Sequence, residues 1–124
     1  MSLVTGLNAT VRITVDLADT ATAVGSGDVP VLATPRLLAL AEAATVAAIN
    51  RFVPAEQTTV GHRVTLEHLR PTPVGGQVAV RAVLTEVDGR RLRFEVTARD
   101  GEDELVGRGE ITRVLVDRAA FVGV

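Results

Sequence analysis

The sequence predicts an α+β fold in which an antiparallel sheet of about five strands wraps around one long helix. Two observations predict it: a change of hydrophobic period along the chain, and the order in which the periods occur. A segment near residue 10 alternates with period two, residues from 34 onward repeat at helical spacing, and four alternating segments follow with no second helix between them. One strand, one helix and then consecutive strands put the helix against one face of an antiparallel sheet. The run of strands leaves sheet edges that a second copy can extend, so a homodimer is expected.

Each element has its own signal. Between residues 9 and 17, Ala9, Val11, Ile13, Val15 and Leu17 fall on one side and Thr10, Arg12, Thr14 and Asp16 on the other, the pattern of a half-buried strand. Residues 18 to 30, centred on Gly25-Ser26-Gly27-Asp28, commit to neither period and read as a loop or lid. From Thr34 the spacing of Leu37, Leu38, Ala41, Thr45, Ala48 and Ile49 is helical, through an Ala-rich segment ending near Arg51 or Phe52. Thr34 is the expected N-cap and Pro35 the first helical residue, where its missing N–H costs nothing; Pro54 stands just past the end.

The meander begins with Val60, His62, Val64, Leu66 and His68 on one face and Arg63, Thr65 and Glu67 on the other, and is stopped by Pro71 and Pro73. Strands over about 77 to 87 and 90 to 99 follow, joined by the tight hairpin Asp88-Gly89, with Leu92, Phe94, Val96 and Ala98 of the second directed inward. In the last strand, about 104 to 116, Gly107 and Gly109 suggest a bulge or a close backbone approach. One sheet around one apolar helix is the hot-dog architecture, and residues 1–124 are expected to form a single such domain.

Composition narrows the function classes. Hydrophobic residues at 47% and charged residues at 23% are ordinary for a soluble globular chain, and no apolar run approaches the roughly 20 residues of a membrane span. Met1-Ser2-Leu3-Val4 lacks the basic start and long apolar stretch of a secretory signal, so a cytoplasmic location without a membrane partner is expected. The absence of cysteine excludes disulfides, thiolate metal sites and a cysteine nucleophile. A net charge of -2, with neither Trp nor Tyr, argues against a nucleic-acid partner.

Five residues are candidates for the chemistry. Glu42 interrupts the helix face of Leu38, Thr45 and Ile49; either it is paired there or the stripe is narrower and Glu42 points to water. His68, and His62 on the same strand face, are each either an acid–base group or a satisfied strand side chain. Their separation on an extended strand, about 20 Å, makes a shared metal ion an unfavourable reading. Thr34 is explained by capping alone, and lies eight residues from Glu42, about 12 Å along a helix, so a joint site needs a contribution from elsewhere, most simply a second subunit. Gly61, inside a strand, lets a ligand approach its backbone N–H, although turn chemistry is the default for such glycines.

Ala33-Thr34, Glu42, Gly61 and His68, followed by Thr72-Pro73-Val74-Gly75, resemble the fluoroacetyl-CoA thioesterase family, a group of bacterial hot-dog proteins. The likeness continues through Val87-Asp88-Gly89-Arg90-Arg91-Leu92, Asp100-Gly101-Glu102-Asp103-Glu104-Leu105 and the closing Gly109, Arg113 and Val114. The resemblance implies hydrolysis of a small or medium acyl-CoA thioester to free acid and CoA, with CoA part of the substrate and no separate cofactor. It also implies a homodimer with two sites at the interface, where Thr34, Glu42 and His68 hold the catalytic roles and the Gly61 N–H receives the thioester carbonyl. Glu42 would attack directly or activate water, His68 would polarise the thioester or protonate the departing thiolate, and Thr34 would orient the carboxylate. The family resembles a lidded box with aromatic side chains over the acyl group. Here Gly25-Ser26-Gly27-Asp28 stands in that place, which leaves acyl selectivity open.

Two other readings remain: a non-catalytic acyl-CoA binding or sensing module of the same fold, and hydration of an enoyl-CoA, against which stands the lack of an evident Asp/His arrangement. Arg90, Arg91 and Arg93 read as a solvated rim rather than as contacts to CoA phosphates. The choice between CoA and a carrier-protein thioester, the pairing of dimers into tetramers, and the role of His62 are not decided by sequence.

Overall fold

Alternating apolar side chains ahead of residue 15 build the edge strand β1 (Asn8–Thr14). Its Ala9, Val11 and Ile13 lie opposite Ala82, Val80 and Val78 of the neighbouring strand, and residues opposed in an antiparallel pair share a side, so all six face the core. The computed structural model describes residues 2–122. The alternation stops at Asp16, whose carboxylate accepts the Ala18 N–H while the Asp19 carboxylate accepts the Asp16 N–H. This capping box winds Leu17–Asp19 into a 3-10 turn. Leu17, expected to continue the inward face, is thereby turned out and 73% exposed. The stretch expected to be irregular also holds a single helical turn, α1 (Ala21–Val24), which ends at Gly25 in the left-handed region with φ 85. A bridge between Thr20 and Leu32 closes the base of this excursion.

The long helix is α2 (Thr34–Ile49), extended to Phe52 by a 3-10 turn. Leu37, Leu40, Ala41, Ala44, Thr45, Ala48 and Ile49 form its buried stripe, at the three- and four-residue spacing that keeps one face on the sheet. The buried Thr45 hydroxyl is satisfied by donating to the Glu42 carbonyl at 2.6 Å. The helix starts one residue earlier than the sequence suggests. Its ladder opens with the Leu37 N–H donating to the Ala33 carbonyl, which makes the extended Ala33 the N-cap, with no side-chain capping bond. Thr34 is therefore the first helical residue and its hydroxyl is not a cap. The first turn is held instead by Arg36, whose Nε donates to Asp19 at 2.8 Å. The Asp16 N–H, and then Arg36, hold the buried Asp19 carboxyl below the usual carboxylate range.

Four strands follow: β2 (Gln57–His68), β3 (Gln77–Asp88), β4 (Arg91–Asp100) and β5 (Leu105–Asp117), with a last helical turn α3 (Ala119–Val122). All pairings are antiparallel, in the order β1-β3-β4-β5-β2, so β1 and β2 are the edges. The core lies between α2 and the inward side chains of β3, β4 and β5, among them Val80, Leu84, Leu92, Phe94, Val96 and Ile111. The close approach expected at the β5 glycines is present. A β-carbon at Gly107 would lie 2.9 Å from Leu37 Cδ2, and one at Gly109 would collide with the Thr65 carbonyl. Among the described residues no helix is long and apolar enough to cross a membrane.

Strand β2 departs from the expected alternation. Gly61 lies opposite Arg113 and Arg63 opposite Thr112, which leaves His62 as the extra residue of a β-bulge. Gly61 and Val64, opposite the buried Arg113 and Ile111, therefore both face the helix side although three residues apart. Val60, opposite Val114, faces away. The single face drawn from Val60 through His62 to His68 is thus two half-faces joined at the bulge.

Candidate functional site

Because Ala33 is the N-cap, the Thr34 hydroxyl is available, and its Oγ1 lies 2.8 Å from His68 Nδ1. His68 ends β2 on the helix side, opposite Gly107. Burial lowers its pKa below the usual 6.5, with the Arg70 backbone opposing, so the ring is neutral at pH 7. In the tautomer that accepts the Thr34 O–H at Nδ1, the proton sits on Nε2. That nitrogen is buried and has no hydrogen-bond partner among the described residues. A buried ring nitrogen without a partner calls for an explanation, of which a catalytic role is one. A cleft of about 250 Å³ opens beside the pair, walled by Ala21, Ser26, Val31, Leu32 and Arg70.

Glu42 lies farther along α2, at the border of the buried stripe, with its side chain 39% exposed and Oε2 3.3 Å from Arg113 Nη1. Arg113 is itself buried and fixed by β2: Nε donates to Thr59 Oγ1 at 2.9 Å and Nη2 to the Thr59 carbonyl at 3.1 Å. Burial lowers the Arg113 pKa and the nearby Glu42 raises it; the guanidinium stays charged, as arginine does in proteins. The result is a fixed fork that directs one carboxylate oxygen at the backbone of β2. There Gly61 leaves the necessary space, since a β-carbon on it would stand 2.6 Å from Glu42 Oε2.

The candidate residues therefore form two pairs. Thr34 meets His68, and Glu42 meets Gly61 through the Arg113 clamp. Eight residues of helix, about 12 Å, and seven of strand, about 20 Å, separate the pairs within one chain. Sequence reasoning names Arg113 only as part of a closing motif and misses its place in the site. The available signal is its parity: Arg113 falls on the same side of β5 as Gly109 and Ile111, and an arginine at an inward strand position requires an anionic partner. His62 is exposed in the bulge. Arg90 donates to the Leu115 carbonyl of β5 at 3.0 Å, and Arg93 lies 3.5 Å from Glu86 across the hairpin and 3.9 Å from Glu110 of β5, so these arginines serve the sheet. Among the described residues no group of three or more His, Asp or Glu is gathered that would hold a metal ion.

Residues 15–119 match the family described as fluoroacetyl-CoA-specific thioesterase. The fluoroacetyl-CoA thioesterase of Streptantibioticus cattleyicolor is 35% identical over 91 residues, covering 73% of this chain and 65% of that protein, so the chain spans just under two thirds of that curated relative's length. A solved structure of the fluoroacetyl-CoA thioesterase superposes with a TM-score of 0.90 at 28% identity, over 99% of this chain and 95% of that one. A thioesterase superfamily member from Thermus thermophilus superposes with a TM-score of 0.87 at 26% identity, over 94% of this chain and 85% of its own. The five-stranded sheet around α2 is the hot-dog fold expected from the sequence. With the match running from the end of β1 to the last helical turn, the chain belongs to the fluoroacetyl-CoA-specific thioesterase family.

Proposed function

We propose that this single-domain protein hydrolyses small or medium acyl-CoA thioesters to free acid and CoA. Each of two sites in a cytoplasmic homodimer would combine Glu42 and Gly61 of one subunit with Thr34 and His68 of the other. The observation that carries this reading is the Arg113 clamp, which holds the Glu42 carboxylate against the backbone at Gly61 on an exposed edge strand. A carboxylate fixed beside a backbone N–H, with an unpartnered imidazole nitrogen to supply, is the equipment for attack on a polarised carbonyl.

The edge strand supports the pairing. If β2 pairs antiparallel with its copy about a twofold axis at Thr65, Val64 lies opposite the partner subunit's Leu66 and Arg63 opposite the partner subunit's Glu67. The bulge residues Gly61 and His62 then meet the partner subunit's His68. Gly61 and that histidine share the helix side only because the bulge inserts one residue; a regular strand would turn Gly61 away. Axes one residue to either side lose the Arg63–Glu67 pairing and slide His68 past Gly61.

In this site the thioester oxygen accepts the Gly61 N–H, and Glu42 takes a proton from the water that attacks the carbonyl carbon. As the carbon–sulfur bond breaks, the partner subunit's His68 donates a hydrogen bond from Nε2 to the leaving sulfur, and the thiolate takes up the proton held by Glu42, which restores the carboxylate. Thr34 fixes the tautomer. Carboxylate, imidazole and backbone supply the whole of this chemistry, so no cofactor enters it. The test is thiol release across acyl-CoA esters from acetyl to long-chain, including phenylacetyl and fluoroacetyl, for wild type, Glu42→Ala and His68→Ala. Release by the wild type and its loss in both folded variants is the expected result. Tight binding of CoA esters without release would replace hydrolysis with an acyl-CoA binding role.

A further inference from the structure

We infer that Asp19 is a positioning residue of the site: by holding Arg36 it makes α2 begin at Thr34 rather than one residue later, and so leaves the Thr34 hydroxyl to His68. Its kinetic consequence rests on the hydrolytic site proposed above. The local sequence favours the other start. Threonine is strongly preferred over alanine as an N-cap, and proline is favoured at the first helical position, so Ala33-Thr34-Pro35 by itself would cap at Thr34. A capping residue has an extended backbone and turns its side-chain oxygen toward the amide of the second or third helical residue. Thr34 instead lies inside the helix, behind an extended Ala33 with φ -68 and ψ 139 that offers no capping side chain. Capping by Thr34 and its 2.8 Å contact with His68 Nδ1 therefore belong to two alternative backbone states of one turn.

The group that decides between them lies outside the helix. Arg36, two residues after Thr34, donates to one oxygen of the Asp19 carboxylate at 2.8 Å, and the other oxygen accepts the Asp16 N–H at 2.9 Å. The Asp19 side chain is only 12% exposed, so solvent and salt screen this pair weakly. The excursion between Asp19 and Ala33 does not need the carboxylate to close it, because its backbone is already tied. The Ala33 N–H donates to the Asp19 carbonyl, the Ala21 N–H donates to the Val31 carbonyl, and Thr20 bridges to Leu32. The Thr20 hydroxyl adds a bond to the Leu17 carbonyl at 2.8 Å and accepts the Ala23 N–H at 3.2 Å. What the Asp19 side chain contributes beyond these ties is its hold on the first turn of α2.

The experiment is a double-mutant cycle of Asp19→Asn with Thr34→Ala, read in kcat and, without turnover, in the nitrogen NMR resonance of His68 Nδ1. Asp19→Asn keeps the shape of the side chain but sets an amide donor against one of the two donors the carboxylate accepts. It should lower kcat on the order of tenfold in the wild-type background, and by less than about twofold once Thr34→Ala is present. The Nδ1 resonance should move from its wild-type position toward that of Thr34→Ala, in which the bond to the hydroxyl is absent. Arg36→Met breaks the same pair from a side chain 36% exposed and should act in the same direction, which keeps the test valid if Asp19→Asn fails to fold. Equal losses of kcat in both backgrounds would overturn the inference. So would an Nδ1 resonance that stays in place, since a general loosening of the fold lowers Tm without moving it. A wild type that releases no thiol would instead overturn the proposed hydrolysis, and the resonance would still test the role of Asp19.

Discussion

Replacing Gly61 with alanine separates the site from the scaffold. The added methyl would stand 2.6 Å from Glu42 Oε2, so the carboxylate must retreat by roughly 1 Å to reach ordinary contact. Displacements of that size at a reacting group cost about 100-fold in rate, or about 2.7 kcal/mol of transition-state stabilisation. Folding should be almost untouched, because the atom that yields is the end of a flexible side chain and alanine restricts the unfolded chain more than glycine does. Net stability should stay within about 1 kcal/mol of wild type. The backbone N–H survives the substitution, so lost activity reports the carboxylate. Thiol-release kinetics and thermal denaturation of the same preparations are the assay, with Glu42→Asp added to Gly61→Ala as a rescue that draws the carboxylate back by one methylene. Full activity in Gly61→Ala would refute the claim that Glu42 acts from this position. A collapse in stability would show that Gly61 serves the strand instead.

Three further outcomes follow from the same geometry. Arg113→Gln removes a buried fork bonded to Thr59 and Glu42; since Glu42 is partly solvated, the loss should be about 2 kcal/mol, a Tm decrease of roughly 5 to 10 °C, with at least tenfold lower kcat/KM. Arg113→Lys should not restore activity, because an ammonium lacks the fork. Thr34→Ala should cost under about 0.5 kcal/mol in urea denaturation, less than the ~1 kcal/mol typical of a lost N-cap, yet impair turnover. Finally, burial depresses the His68 pKa, so as pH falls through 6.5 the unfolded chain binds a proton before the folded one does. The stability carried by the neutral ring is present above that pH, is lost as pH falls toward the depressed pKa and levels off below it. An NMR titration of His68 should show a midpoint under 6.5, and His68→Gln should flatten that part of the stability profile.

The regular elements were legible because their side chains obey one period at a time. Leu92, Phe94, Val96 and Ala98 alternate without interruption and all are buried. Errors fall where a local interaction breaks the period. Leu17 continues an apolar alternation, but the Asp16–Asp19 capping box turns the backbone before the pattern ends. In β2 the side chains of Val60, His62 and Val64 look like one face, yet a bulge reverses the parity between them, and a bulge leaves no mark on hydrophobicity. Thr34 before Pro35 has the composition of a cap, whereas Asp19 and Arg36, seventeen residues apart, secure that turn. Glu42 was visible as an anomaly on an apolar face. Its partner was not, because Arg113 lies 71 residues away and only the β2–β5 register brings it near.

The central claim is that each site needs two subunits, and mixing two inactive variants tests it most directly. Glu42→Ala and His68→Ala subunits, co-refolded so that they exchange, form mixed dimers in which one site loses both groups and the other keeps both. Random assortment makes half the dimers mixed, so the composite site predicts recovery to about a quarter of wild-type thiol release from two preparations that are each inactive. No recovery, with mixed dimers demonstrated by native mass spectrometry, would contradict the account.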